Sequence, residues 1–175
     1  MTLQIIQESL PAYAKDIKLN LSSLLNSSEH LTEQQLWGTM LACAMASKNA
    51  NLHKAVLQSA EKKLSPEAVA AAKSAATLMA MNNIYYRFTH LVSKEDYRKM
   101  PANLRMNAML APGIDKLDFE LFSIAVSAIN GCGMCMDSHE KTLTSKGISK
   151  ETVQAAVRVA AILHAVANVL EIENT

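Results

Sequence analysis

The chain has 175 residues and a formal net charge of +1; half of its residues are hydrophobic but only 5% are aromatic. That length suits one domain with a substantial core, and the charge balance provides no basic patch of the kind that nucleic acid or an anionic membrane surface requires. Five Gly and four Pro, against apolar content that is mostly Ala, Leu, Ile, Val and Met, favour packed helices over sheet.

The first residues, Met1 to Glu8, lack a basic stretch followed by a long apolar run, so they do not read as a signal peptide. Three cysteines are too few for a disulfide scaffold of this size. A cytoplasmic protein is the expectation. Breakers then divide the chain into helices. Leu3 to Leu10 forms a short block, Pro11 begins the next, to about Leu25, and Asn26-Ser27-Ser28 is a loop. Thr32 with Gln35 is a capping-box pattern that opens a helix to about Ser47. A shorter helix spans roughly Asn51 to Lys63, and Ser65-Pro66-Glu67 starts one that runs to about Leu91. Ser93 to Pro101 reads as a loop or short helix, and Pro112-Gly113 as a turn. Asp118 is placed as the cap of a helix ending at Gly131, and another helix runs from about Cys132 to Lys146 with Gly147 at its end. Ser149 opens the last helix, to about Glu171. Its apolar stretch, Ala155 to Leu170, includes Arg158, His164 and Asn168 and reads as a buried helix rather than a membrane span. No segment alternates with period two, so the chain is predicted all-α.

The chain also repeats itself. Leu36-Trp37-Gly38 aligns with Leu121-Phe122-Ser123, and Leu64-Ser65-Pro66-Glu67 with Ile148-Ser149-Lys150-Glu151, at offsets of 85 and 84. Two similar helical halves follow, about 11–91 and 103–172, within one domain. In this alignment Cys132 faces Ser47, Cys135 faces Ala50 and His139 faces Lys54, so only the second half carries reactive side chains. Chance alignment of two Ala-rich helical stretches is the alternative.

The run Gly131-Cys132-Gly133-Met134-Cys135-Met136-Asp137-Ser138-His139 is the candidate site. On a helix starting near Cys132, Cys132, Cys135 and His139 share a face. A helix N-terminus lowers a thiol pKa and so raises the reactive thiolate fraction. Dithiol redox chemistry is the leading reading. The all-α context excludes a thioredoxin motif, and Met136 excludes c-type haem attachment. A zinc site built from Cys132, Cys135, His139 and a carboxylate is one alternative, and buried structural cysteines are another. Glu120 is the candidate acid partner for His139. If the next helix returns antiparallel, Glu120 lies about 15 Å before the turn and His139 about 10 Å after it, so they can meet. A dipole-complementing first-turn carboxylate is the plainer role for Glu120. Cys43 reads as a small buried hydrophobe, the methionines as core filler, and His164 as a weaker candidate for contact with the site.

Several stretches resemble the alkyl hydroperoxide reductase D (AhpD) family, within the carboxymuconolactone decarboxylase-like superfamily. They are Pro11 to Leu21, Gln35 to Thr39, Met81 to Arg87, Leu104 to Asn107 and Phe119 to Cys132. The CxxC with its downstream His is shared across the superfamily, whereas the other stretches are specific to the AhpD branch. The resemblance implies an AhpD-like helical fold, usually a homotrimer. It implies a peroxidase with no bound cofactor or metal, using a redox-active dithiol. The external donor is the lipoyl group of an acyltransferase, reduced upstream by dihydrolipoamide dehydrogenase, and the peroxiredoxin AhpC is a further partner. By position, Cys135 is the residue oxidised to sulfenic acid. Cys132 is the more accessible partner, which donates a proton, closes the Cys132–Cys135 disulfide and forms a transient mixed disulfide with AhpC. Glu120 and His139 match the proton relay. One departure stands out: Met134 occupies the position where the family pattern has a histidine. A thioether cannot shuttle protons, so either that histidine is dispensable or the disulfide-transfer role weighs more here.

Overall fold

A computed structural model describes residues 2–27 and 29–174; Ser28, in the predicted loop, lies outside them. Among the described residues all regular elements are helical, as expected. They are α1 (Leu3–Ser9), α2 (Lys15–Asn26), α3 (Glu33–Ala46), α4 (Ala50–Ala60), α5 (Pro66–Leu91), α6 (Asp96–Lys99), α7 (Asn107–Leu110), α8 (Lys116–Asn130), α9 (Gly133–Ser145) and α10 (Lys150–Glu173). The helix expected from Pro11 starts later. Pro11 is extended, Ala12–Ala14 form a single 3-10 turn, and the α-helix begins at Lys15.

Start signals act as the sequence suggests in three places. Thr32 accepts from the Gln35 amide at 3.2 Å while the Gln35 side chain accepts from the Thr32 amide at 3.0 Å. Ser65 caps α5 and Ser149 caps α10 through the same N3 contact. The cap of α8 is a correction. Asp115, not Asp118, takes the first amides, those of Leu117 and Asp118. Asp118 lies inside the first turn, buried, and accepts from Gln34 at 2.7 Å and Gln35 at 2.8 Å. It ties the start of α8 to the start of α3, and the two glutamines satisfy a carboxylate that burial would otherwise penalise.

α3 and α8 form the centre. Gly38 to Ala44 is an unbroken buried run in α3, and Asp118 to Ser127 is one in α8. A helix apolar on all sides must be surrounded, and α5 and α10 each pack on both central helices. α4 leans on α3, whereas α9 leans on α8 and α5. α10 is long and apolar enough by length and composition to cross a membrane. Here Val159, Leu163 and Val166 are fully buried in the core.

The central helices approach closely at Gly38. A Cβ there would lie 2.0 Å from Cζ of the buried Phe122 ring. Gly38→Ala is therefore expected to destabilise the protein by roughly 1–3 kcal/mol, the usual cost of overpacking, read as a lower denaturation midpoint with an unchanged m-value.

The helix order also repeats: α3, α4 and α5 have 14, 11 and 26 residues, and α8, α9 and α10 have 15, 13 and 24. The junctions differ, however. Asn49 caps α4 by accepting from Leu52, as Cys132 caps α9 by accepting from Cys135. By capping role the counterparts of Cys132, Cys135 and His139 are thus Asn49, Leu52 and Val56. They are not Ser47, Ala50 and Lys54: past the aligned Leu36 and Leu121, α3 runs one residue further than α8, and its junction, residues 47–49 against 131–132, is one residue longer.

Candidate active site

The site is built on the reversal between α8 and α9. Gly131 is left-handed, with φ 68°, a conformation that favours glycine. The Gly131 amide donates to Ala128 and the Cys132 amide to Ser127, which closes the end of α8 as a Schellman motif. Cys132 then caps α9: its Sγ accepts from the Cys135 amide at 3.3 Å. One residue finishes one helix and starts the next, so the dithiol sits rigidly at a helix N-terminus. Cys132 and Cys135 are joined in a disulfide, with Cα atoms 5.3 Å apart.

From there α9 runs back along α8. Its buried face is Cys135, His139 and Leu143, at i, i+4 and i+8. His139 meets Glu120 of α8, with Nδ1 2.6 Å from Oε2, and both side chains are 6% exposed. The antiparallel return brings together the two residues whose spacing suggested it. On its other side, His139 Nε2 lies 3.3 Å from Sδ of Met79 on α5.

Accessibility departs from expectation. Cys132 is completely buried, while Cys135 retains 7% exposure. Cys135 also lines a cavity of about 350 Å³, together with His139, Met134 and Ser138 of α9 and Met79, Asn82 and Tyr86 of α5. Met106 and Met109, from α7 and the residue before it, complete the wall. Four methionines therefore line the site and do more than fill core. The wall residues from α5 and α7 escaped sequence reasoning. The one available signal is Asn82-Asn83, a polar pair within an apolar helix that must find partners when buried. Asn83 does: its amide donates to Ser127 Oγ at 2.9 Å and its carbonyl accepts from Asn130 at 2.9 Å. Arg87 donates to the Asn130 carbonyl at 2.6 Å. This network braces the end of α8 on which Cys132 rests.

Other candidates lie elsewhere. Cys43 is free and fully buried in α3, and burial pushes its thiol pKa up. His164, on α10, borders a separate cavity with Ala128 and Ile129. Among the described residues no three His, Cys, Asp or Glu side chains are grouped to hold a metal ion. The side chains proposed for zinc are engaged with one another, Cys132 with Cys135 and His139 with Glu120.

Residues 95–172 match the model of the Carboxymuconolactone decarboxylase family. Over nearly its whole length the chain is also similar to proteins named alkyl hydroperoxide reductase AhpD. That of Gluconacetobacter diazotrophicus is 57% identical over 171 residues, covering 98% of this chain and 93% of the relative. That of Acidobacterium capsulatum is 54% identical over 173 residues, covering 99% and 94%. The Brucella anthropi protein is 51% identical over 175 residues, covering 100% and 99%. The chain belongs to the AhpD family. Membership in the AhpD family, with a Cys-x-x-Cys disulfide, makes this a thiol-based redox enzyme.

Cys43 yields a pH prediction. An unfolded thiol ionises near pH ~8.5, whereas burial raises the folded thiol. The resulting stability is present in full below the unfolded pKa and is lost as pH rises above it, because unfolding then releases a proton. With the Cys132–Cys135 disulfide intact, wild-type stability should fall more steeply above pH ~8.5 than that of Cys43→Ala, by up to ~1.4 kcal/mol per pH unit. Denaturant titrations at a series of pH values read the difference.

Proposed function

We propose that the protein is a lipoyl-dependent hydroperoxide reductase in which Cys135 attacks the peroxide and Cys132 resolves. The observation that carries this reading is the shared placement of Cys135 and His139 on one largely apolar cavity, with Glu120 holding His139 from behind. The Cys135 thiolate attacks the terminal oxygen of the hydroperoxide. An S–O bond forms and the O–O bond breaks, with sulfur oxidised by two electrons and peroxide reduced. The departing alkoxide takes a proton, supplied by Cys132 and replenished from the Glu120–His139 pair. Cys132 then condenses with the sulfenic acid, releasing water and closing the disulfide. A dihydrolipoyl group reopens it by thiol–disulfide exchange.

Around that cycle we place a lipoyl-bearing acyltransferase and dihydrolipoamide dehydrogenase as donors, AhpC as an acceptor of reducing equivalents, and a cytoplasmic homotrimer as the working form. The chain is one domain, with half-repeats at about 11–91 and 103–172. A second reading, a disulfide adaptor with little peroxidase activity, is favoured by Met134, which supplies no proton where the family pattern has histidine. The complete burial of Cys132 weighs against it, since exchange at that sulfur with another protein requires the α8–α9 turn to open.

Peroxide consumption by the purified protein with dihydrolipoamide tests the function. The wild type should turn over, and Cys132→Ser and Cys135→Ser should not. A sulfenic-acid trap should label Cys135 in the Cys132→Ser protein, and label on Cys132 in Cys135→Ser instead would reverse the roles. Met134→His should speed peroxide reduction while changing disulfide exchange with AhpC much less, because the first needs an acid for the alkoxide and the second mainly an accessible thiolate. If Met134→His left the rates of both reactions unchanged, Met134 would carry no functional meaning.

A further inference from the structure

One side chain on the cavity wall has unused hydrogen-bonding capacity. Asn82 is 4% exposed, and its carbonyl oxygen is buried with no hydrogen-bond partner. Its NH₂ group is little better placed, since its contact is the Met109 thioether at 3.7 Å, a weak acceptor. Leaving a buried amide carbonyl unpaired is costly, and native structures rarely do so without a reason. Among the described residues, the other buried side-chain atoms without partners, on Thr39, His53 and Ser123, do not line this cavity. Neighbouring Asn83, by contrast, is paired through both ends of its amide.

We propose that Asn82 is a substrate-binding residue whose side-chain carbonyl accepts the O–H hydrogen of the hydroperoxide bound beside Cys135. This rests on the peroxidase reading above and names the polar contact that orients the substrate. A hydroperoxide R–O–O–H has one hydrogen-bond donor, on the terminal oxygen that the thiolate must attack. Beside Tyr86, Ser138 and His139, the wall offers four methionine thioethers, which donate no hydrogen bond and suit the alkyl group. Turned toward the cavity that Asn82 and Cys135 both line, a carbonyl acceptor on α5 fixes which oxygen faces the sulfur. The alkyl end is left among the methionines. Chemistry is unchanged by this contact: the S–O bond still forms at Cys135, and the alkoxide still leaves with a proton from the dithiol side. Asn82 contributes orientation and selects for a ligand carrying a donor, because without one its carbonyl stays unpaired.

The test separates the peroxide step from the reductant step. Fully reduced protein is mixed with tert-butyl hydroperoxide, and the loss of motif thiols is followed in a single turnover. The oxidised protein is mixed separately with dihydrolipoamide. Asn82→Leu, close in size but without an acceptor, should slow the peroxide step about tenfold, corresponding to ~1.4 kcal/mol. Reduction by dihydrolipoamide and iodoacetamide alkylation of Cys135 should remain within twofold of wild type. Asn82→Ser, which keeps an acceptor oxygen and introduces less bulk, should fall between the two and guards against misfolding of the leucine variant. An unchanged peroxide step in both variants overturns the proposal and leaves the carbonyl to water. Equal slowing of the peroxide, reductant and alkylation reactions overturns it too, in favour of a structural role. Slowing of the reductant step alone would assign Asn82 to the dithiol donor. If wild-type thiols do not react with peroxide at all, the peroxidase reading itself fails, an outcome distinct from any difference between variants.

Discussion

A carboxylate and an imidazole that meet inside the protein govern the arrangement of the site. Glu120 and His139 are each about nineteen-twentieths buried, and neither is tolerable there alone. Removing one partner of such a pair costs about 3–5 kcal/mol, because the other is left as an uncompensated buried group. The contact requires α9 to run back along α8 in one register, and the turn allows it: Gly131 supplies the left-handed residue, and Cys132 closes α8 and opens α9 in a single step. The position of the dithiol thus follows from the same geometry that satisfies the buried pair. α8 in turn can be buried along ten consecutive residues, Asp118 to Ser127, only because α3, α5 and α10 surround it and Gln34 and Gln35 answer Asp118.

The two cysteines occupy different environments. Cys132 has its sulfur on the amide of Cys135, at the positive end of the α9 dipole, and no solvent exposure. Cys135 faces the cavity, one helical turn before His139. Access there suits a small oxidant, whereas a protein-borne thiol needs the braced turn to loosen. The Asn83, Asn130 and Arg87 contacts brace that turn at the end of α8.

The helices were largely legible in the sequence because their ends are chemically marked. Thr32, Ser65, Ser149, Gly131 and Gly147 all sit where capping and left-handed turns require them. Asp118 misled because an acid three residues inside a helix looks like a cap when another acid, Asp115, precedes it. Its real partners are 83 and 84 residues away in sequence. The dithiol, His139 and Glu120 could be read because they lie on two successive helices, where spacing fixes reach. The cavity wall could not. Met79, Asn82, Met106 and Met109 come from α5 and the α7 region, and no local spacing says that those segments face α9. The repeat was visible, but its register slipped by two residues at the first-half junction, where Asn49 and not Ser47 is the cap.

The proposed mechanism requires that the Glu120–His139 pair make Cys135 the reactive thiol. Its most direct test is the rate at which iodoacetamide alkylates Cys135 in fully reduced protein at pH 7, compared between wild type and Glu120→Gln. The glutamine variant keeps the size of the side chain and a hydrogen bond to His139 but removes the charge. With the fold confirmed by an unchanged helical signal, the account predicts that alkylation of Cys135 slows at least tenfold, a change of ~1.4 kcal/mol. A Glu120→Gln protein whose Cys135 reacts as fast as wild type would contradict it.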